Sequence, residues 1–192
     1  MNSKQKEKYD ALFQASIDVM LEKGFERTTI SEIAKKAGVA NGTFYLYFKN
    51  KNDLIPAISE YIIRNLLKNI KENTQYAKNI WGILEQVIEQ TFIVTKHYKE
   101  LILLIYSSLA YDHSFDKWEI AYNSYYDWLE NELKNALQRG EINGRVNRNI
   151  VKMIINSLEL AAENYYFTTN EREENETKLK EDVYYYIRNA IK

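Results

Sequence analysis

The sequence predicts an all-α protein, and three observations lead to that fold class. The 192 residues include one proline and six glycines, so few positions interrupt a helix. Apolar residues recur three and four positions apart along most of the chain, the spacing that places them on one face of a helix. Hydrophobic residues make up 45% of the chain, enough to build one large or two small helical cores.

The N-terminal part is predicted to contain a long helix followed by two short ones. The first helix is expected from about residue 6 to residue 23, and Gly24 ends it. Thr29 then caps the second helix, with Glu32 three residues later completing a capping box. Gly38 ends this second helix, because glycine adopts the left-handed conformation beyond a helix C-terminus at little steric cost.

The third helix is expected to have a polar outer edge and an aromatic inner side. Phe44 and Phe48 lie four residues apart and share the inner side. The outer positions are Asn41, Gly42, Thr43, Tyr45 and Tyr47. Two short helices joined by a tight glycine turn are typical of a helix-turn-helix. The second helix, with polar groups along its outer edge, would be the recognition helix that enters DNA.

The rest of the chain is predicted to be helical as well. Asn50 is the expected N-cap of a long helix from about residue 51 to residue 72. Further helices are expected at about residues 80–96, 98–110, 115–138, 147–167 and 175–191. The polar segment TTNEREEN is expected to connect the last two helices.

The stretch GVANGTFYLYFKNKNDL closely resembles the DNA-binding signature of the TetR family of bacterial transcriptional regulators. The resemblance covers roughly residues 5–70 and implies an N-terminal three-helix helix-turn-helix DNA-binding domain, residues 1–52. A long helix would join it to a C-terminal helical ligand-binding and dimerisation domain, residues 53–192. The implied function is a ligand-responsive repressor, which binds a palindromic operator as a homodimer and is released by a small, largely apolar or aromatic effector.

The same resemblance assigns residues to the DNA. In the family pattern the start of the third helix reads bases, and Tyr45 and Lys51 contact phosphates. For Tyr45 the alternative is a ring packed between the short and long helices, and for Thr29 it is a cap alone. The residues expected at the DNA are Thr29, Asn41, Gly42, Thr43, Tyr45, Tyr47 and Lys51.

Charge and composition bound the function further. Residues 1–71 hold 12 Lys and Arg against 8 Asp and Glu, whereas residues 72–192 hold 14 against 19, so the basic surplus accompanies the helix-turn-helix. The chain has no cysteine, and His97 and His113 are not at metal-ligand spacing, so neither a metal nor a cofactor is expected. No nucleophile–base pair or phosphate loop indicates an enzyme. Without a signal segment or a membrane span, a cytoplasmic protein is expected.

The C-terminal part is rich in aromatic residues, and the family resemblance implies an effector pocket among them. The alternative is that the rings pack the helical core. A carboxylate such as Glu159 in an apolar cavity would favour a cationic or hydrogen-bond-donating ligand. The candidate ligand residues are Phe92, Tyr106, Trp118, Tyr122, Tyr125, Asn156, Glu159 and Tyr165.

The last two helices are the expected homodimer surface, because each presents an apolar stripe. The alternative is that these stripes close the core of their own subunit. The stripe residues are Leu158, Ala161, Ala162, Tyr165, Val183, Tyr184, Ile187 and Ile191. A second functional alternative is a TetR-like DNA-binding protein whose C-terminal part binds a protein partner instead of a small molecule.

Overall fold

The all-α fold class is confirmed. The computed structural model describes the backbone of residues 1–109, 115–168 and 175–192 and their side chains except those of residues 109 and 115–118; within these ranges there are nine α-helices and no strand. The helices are α1 (Ser3–Lys23), α2 (Ile30–Lys36), α3 (Asn41–Phe44), α4 (Leu54–Asn73), α5 (Ile80–His97), α6 (Lys99–Leu109), α7 (Phe115–Gln138), α8 (Arg148–Phe167) and α9 (Glu176–Ile191). The segment TTNEREEN falls mostly outside the described residues, as do residue 110 and His113.

The chain divides into two compact units. The first unit is Met1–Tyr61 with Glu100–Ala121, and the second is Ile62–Lys99 with Tyr122–Lys192. Helix α4 therefore begins in the first unit and ends in the second. The predicted domain boundary between residues 52 and 53 lies inside the first unit, and it stays a prediction.

In the first unit, α1 packs on α2 and α2 packs on α3. The side chains that these helices bury are almost all apolar, so the hydrophobic effect holds the three helices together. The fully buried apolar ones are Leu12, Met20, Ile33, Ala34 and Phe44. Helix α1 begins earlier than predicted, because Asn2 and Gln5 form a capping box that satisfies its first N–H groups.

The start of α4 agrees with its predicted cap but differs in detail. The Asn50 side chain accepts hydrogen bonds from the backbone N–H groups of Asn52 and Asp53. A 3₁₀ turn at Lys51–Asp53 comes first, and the α-helix follows from Leu54. Tight 3₁₀ turns are common at helix ends.

In the second unit, α5 packs against α8 and α9, and these two also pack against each other. Helix ends are tied by specific hydrogen bonds: the Ile80 N–H donates to the Glu141 carboxylate at 2.6 Å, and the Gly144 N–H donates to the Ile191 carbonyl at 3.1 Å. The second bond requires a close approach, since a Cβ at Gly144 would lie 2.7 Å from that carbonyl oxygen. No helix within the described ranges is both long and apolar enough to cross a membrane.

The stripes predicted for the dimer surface lie largely inside the second unit. Val183, Ile187 and Ile191 of α9 are buried, as are Leu158 and Ala162 of α8. Ala161, Tyr165 and Tyr184 are only half-buried. The buried stripe residues therefore pack in the core of their own subunit, which was the alternative interpretation. A dimer contact through α8 and α9 requires the other faces of these helices.

Candidate DNA interface and effector site

The helix-turn-helix is built as its sequence signals predict. The Thr29 hydroxyl accepts from the Glu32 N–H at 3.3 Å, and the Glu32 carboxylate accepts from the Thr29 N–H at 3.1 Å. Gly38 has φ 68°, a left-handed conformation that favours glycine. The Val39 N–H donates to the Ala34 carbonyl at 3.0 Å and closes the turn. The capping box and the glycine turn are therefore confirmed.

Three ion pairs join α1 to α2. Lys23 pairs with Glu32, and Lys36 pairs with Glu22 at 2.9 Å and with Asp18 at 3.7 Å. The Lys23 ammonium and the Thr29 groups lower the pKa of Glu32 to about 2, because each donates a hydrogen bond to its carboxylate. Solvent screens exposed pairs of this kind, so they mainly orient the helices.

The recognition segment, residues 41–47, presents a polar edge to solvent. Helix α3 is only four residues long and continues as a turn through residues 45–47. Asn41 and Gly42 are exposed and Thr43 is half-buried, whereas Phe44 is fully buried. The division into polar outer and aromatic inner positions is the one expected from the sequence.

The two tyrosines of this segment differ in their surroundings. Tyr45 is 58% exposed, with its ring edge-on to Phe44, so it is available to a phosphate. The Tyr47 hydroxyl donates to the Gln5 carbonyl at 2.9 Å, and its ring packs edge-on against Tyr9. Tyr47 thus ties the segment to α1, and its contact with DNA stays a prediction.

Lys51 has a structural role that its sequence position did not indicate. Its ammonium donates to the carbonyls of Phe25, Glu26 and Thr28 at 2.7, 3.0 and 3.0 Å, and it lies over the Phe25 ring. Partial burial lowers the pKa of Lys51 below its usual value. These bonds use all three N–H donors of the ammonium and connect the loop before α2 to the turn at the start of α4. A phosphate contact by Lys51 stays a prediction.

Leu46 is the one exposed residue of this segment that the sequence pattern did not single out. Its side chain is 76% exposed. In the sequence, a leucine among the polar outer positions departs from the amphipathic pattern. This departure is the signal from which the exposed leucine could have been found.

The candidate ligand residues fall into distinct surroundings. Phe92 and Tyr125 are fully buried in the second unit and Tyr122 nearly so, while Tyr165 is half-buried with its ring 6.4 Å from that of Phe92. Asn156 is exposed, and Tyr106 belongs to the first unit and is 43% exposed. Trp118 lies outside the described side chains. The structure therefore gathers Phe92, Tyr122, Tyr125, Glu159 and Tyr165 within one unit.

A polar cluster lies inside that unit. The Tyr122 hydroxyl and a Glu159 carboxyl oxygen are 3.2 Å apart and hydrogen-bonded. Although Glu159 as a residue is half-buried, its carboxyl group is enclosed, and burial together with Glu163 raises its pKa to about 8. The Tyr125 hydroxyl is buried beside Thr91 without a well-formed hydrogen bond. At pH 7 Glu159 is thus largely a neutral acid that can donate as well as accept.

The geometry of the first unit defines a helix-turn-helix DNA-binding protein. Residues 12–58 match the family model for bacterial regulatory proteins of the tetR family, and residues 84–191 match the Tetracyclin repressor-like C-terminal domain. The uncharacterized HTH-type transcriptional regulator YvdT of Bacillus subtilis strain 168 is 40% identical over 185 residues, covering 96% of this chain and 95% of the relative. The chain therefore belongs to the TetR family.

Two further comparisons concern more distant relatives. The fatty acid metabolism regulator protein of Bacillus subtilis strain 168 is 28% identical over 150 residues, which is 77% of each chain. The crystal structure of the transcriptional regulator FadR from Bacillus subtilis in complex with stearoyl-CoA superimposes with a TM-score of 0.77 at 24% identity, covering 96% of this chain and 100% of that one. Family membership confirms the predicted DNA-binding transcriptional regulator and the prediction that the protein is not an enzyme.

Replacing Lys51 with Met should reveal its structural role. We expect the free energy of unfolding to fall by about 1–3 kcal/mol, because the carbonyls of residues 25, 26 and 28 lose their donor. Urea unfolding measures this, with exposed Lys49→Met as the matched control. Unchanged stability would contradict the role. The salt dependence of DNA binding tests a phosphate contact by Lys51 separately. Loss of one such contact lowers the slope of log affinity against log salt concentration by about 0.9.

Glu159 should make stability depend on pH. An unfolded glutamate has a pKa near 4.5, whereas the folded value is about 8, so the unfolded state releases the proton first as the pH rises. We therefore expect the Glu159 contribution to disfavour folding progressively between these values. Glu159→Gln should raise the melting temperature more at pH 8 than at pH 5, whereas exposed Glu181→Gln should not. Equal effects of Glu159→Gln at both pH values would contradict the buried carboxyl.

Proposed function

We propose that the protein is a homodimeric, cytoplasmic repressor, which binds a palindromic operator and is released by a fatty acyl thioester. The observation that carries the proposal is the exposed polar edge of the recognition segment on a helix-turn-helix held by its own caps, turn and aromatic core. Such an edge can donate and accept hydrogen bonds in the major groove, where base pairs present distinct patterns.

On the DNA side, some residues of the recognition segment are suited to contact bases and others to contact phosphates. Asn41 and Thr43 carry the groups that hydrogen-bond base edges, and Tyr45 carries a hydroxyl suited to a phosphate. A Cβ placed on Gly42 would meet no protein atom within 4 Å, so nothing of the chain stands between this backbone and an approaching duplex. Thr29, at the exposed start of α2, supplies a further hydroxyl.

A homodimer follows from the size of the interface. One helix-turn-helix buries too little DNA surface for useful specificity, and a two-fold pair reads two half-sites one helical turn apart. Exposed apolar residues on the outer faces of the last two helices supply a dimer surface: Met153 and Leu160 on α8, Tyr185 and Tyr186 on α9. Exposure of such side chains is characteristic of protein interfaces.

Tyr185→Glu should therefore weaken the dimer. Tyr185 is 71% exposed, so the substitution should leave the subunit fold intact while placing a charge in the interface. Tyr76→Glu is the matched control, since Tyr76 is 90% exposed and lies in the turn after α4. Sedimentation equilibrium should give a monomer–dimer dissociation constant raised at least tenfold for Tyr185→Glu only. Identical constants for the two variants would remove α9 from the interface.

The effector class rests on the relatives and on the interior of the second unit. The related Bacillus subtilis structure contains stearoyl-CoA, and the curated Bacillus subtilis relative is named a fatty acid metabolism regulator. The side chains of Phe92 and Tyr122 suit an alkyl chain. The Tyr125 hydroxyl and the neutral Glu159 acid can each donate to a thioester carbonyl, which would satisfy a buried hydroxyl that otherwise costs about 1–3 kcal/mol.

The proposed mechanism is a population shift. An effector releases the operator only if it binds one conformation of the dimer better than another. A coupling of about 1–3 kcal/mol, the usual range, changes operator affinity roughly 5- to 150-fold.

One experiment tests operator and effector together. The parent protein is used to select duplexes from a random library, and the selected operator is titrated by gel shift with stearoyl-CoA, coenzyme A or stearate. We expect release by stearoyl-CoA and not by coenzyme A. Tyr125→Phe should bind the operator like the parent but need several-fold more stearoyl-CoA, because it loses the donor. Tyr76→Phe is the control.

Two results would contradict parts of the proposal. A parent protein that selects no duplex would remove the DNA function. An operator that none of the three compounds releases, together with a specific protein recovered on immobilised parent, would favour the protein-partner alternative for the second unit.

A further inference from the structure

Leu46 is an apolar side chain held out to solvent on the recognition segment. It is 76% exposed, more than any other leucine whose side chain the structure describes. Its backbone N–H donates to the Thr43 carbonyl at 3.2 Å, so the turn after α3 fixes its direction. The next residue, Tyr47, is anchored to the Gln5 carbonyl. Leu46 therefore sits on a rigid support and adds nothing to the core.

The surroundings of Leu46 favour a DNA strand. Leu46 and Tyr47 line an open groove of about 500 Å³ with the first turns of α1, where Lys4 and Lys8 contribute two cations. Both lysines are exposed. Cations beside the recognition segment attract the phosphates of a duplex that this segment enters. The apolar side chain and the cations thus line the same groove, on the segment that follows α3.

We propose that Leu46 reads the C5-methyl group of a thymine in the operator, with Lys4 and Lys8 beside the phosphates of that region. The inference rests on the DNA binding proposed above and adds a base preference to it. The thymine methyl is the apolar group that a base pair presents in the major groove, and cytosine lacks it. Contact between the methyl and Leu46 removes apolar surface from water on both sides.

Deoxyuridine substitution isolates this contact, because deoxyuridine pairs like thymidine but has no methyl group. Each thymine of the selected operator is replaced singly, and dissociation constants are measured for the parent and for Leu46→Ala. At one position in each half-site we expect about a fourfold loss for the parent, the usual worth of one buried methyl-sized group. Leu46→Ala should bind the thymine operator more weakly and show no further loss at that position.

Two variants guard the interpretation. Leu46→Met keeps an apolar side chain of similar volume and should retain the sensitivity to deoxyuridine at that position. Leu21→Ala removes a different exposed leucine, which lies in α1, is 46% exposed and does not line the groove. This variant should behave like the parent. Thermal unfolding should be unchanged for Leu46→Ala, because its side chain is not in the core.

The outcomes separate this inference from the proposed function. A parent that selects no duplex overturns both. A parent that selects an operator, but shows the same deoxyuridine sensitivity as Leu46→Ala at every thymine, overturns the role of Leu46 alone. Unchanged operator affinity of Leu46→Ala does the same.

Discussion

The recognition segment depends on one constraint, which is the packing of its aromatic side against α1. A helix of four residues cannot persist alone, because nucleation fixes several dihedral angles for each hydrogen bond gained. Phe44 and Phe48 supply the missing stability: their rings lie 5.3 Å apart, and Phe48 stacks on Tyr9 at 5.5 Å. Removing this packing would leave Asn41 and Thr43 without a fixed position, so the base reading proposed for them depends on buried aromatic residues behind them.

The DNA-binding head, which comprises α1, α2, α3 and the start of α4, could be predicted because its signals are local. Thr29 and Glu32 are three residues apart, Gly38 needs only its own backbone freedom, and Asn50 caps the N–H groups two and three residues later. The contacts that could not be predicted join distant positions. The Lys51 ammonium bonds carbonyls 23 to 26 residues earlier, and Tyr47 bonds one 42 residues earlier. Spacing along a helix carries no information about such partners.

The second unit shows the same limit more strongly. Helix bounds at α5, α7 and α8 lie within about one residue of their predicted ends, because amphipathic periodicity and caps set them. Periodicity gives an apolar face but not its partner, so Leu158 and Ile187 fitted a dimer surface and the core equally well; they are buried in the core. The polar cluster could be predicted only in part. Glu159 was a candidate ligand residue, but its raised pKa depends on burial and on the nearby Glu163, and only the fold supplies these.

The internal ties of the head constrain how an effector can act under the proposed mechanism. Tyr47 binds the recognition segment to α1, Lys51 binds the start of α4 to the loop before α2, and ion pairs join α1 to α2. Rearranging α3 by itself would break the Tyr47 hydrogen bond and the ring contacts of Tyr47 and Phe48 with Tyr9, whereas moving each head as a body would break none of these contacts. The usual effector coupling is only about 1–3 kcal/mol, which favours the movement that breaks the fewest contacts. The proposed release would therefore come from a changed separation of two intact heads, with the arrangement of residues within each head preserved.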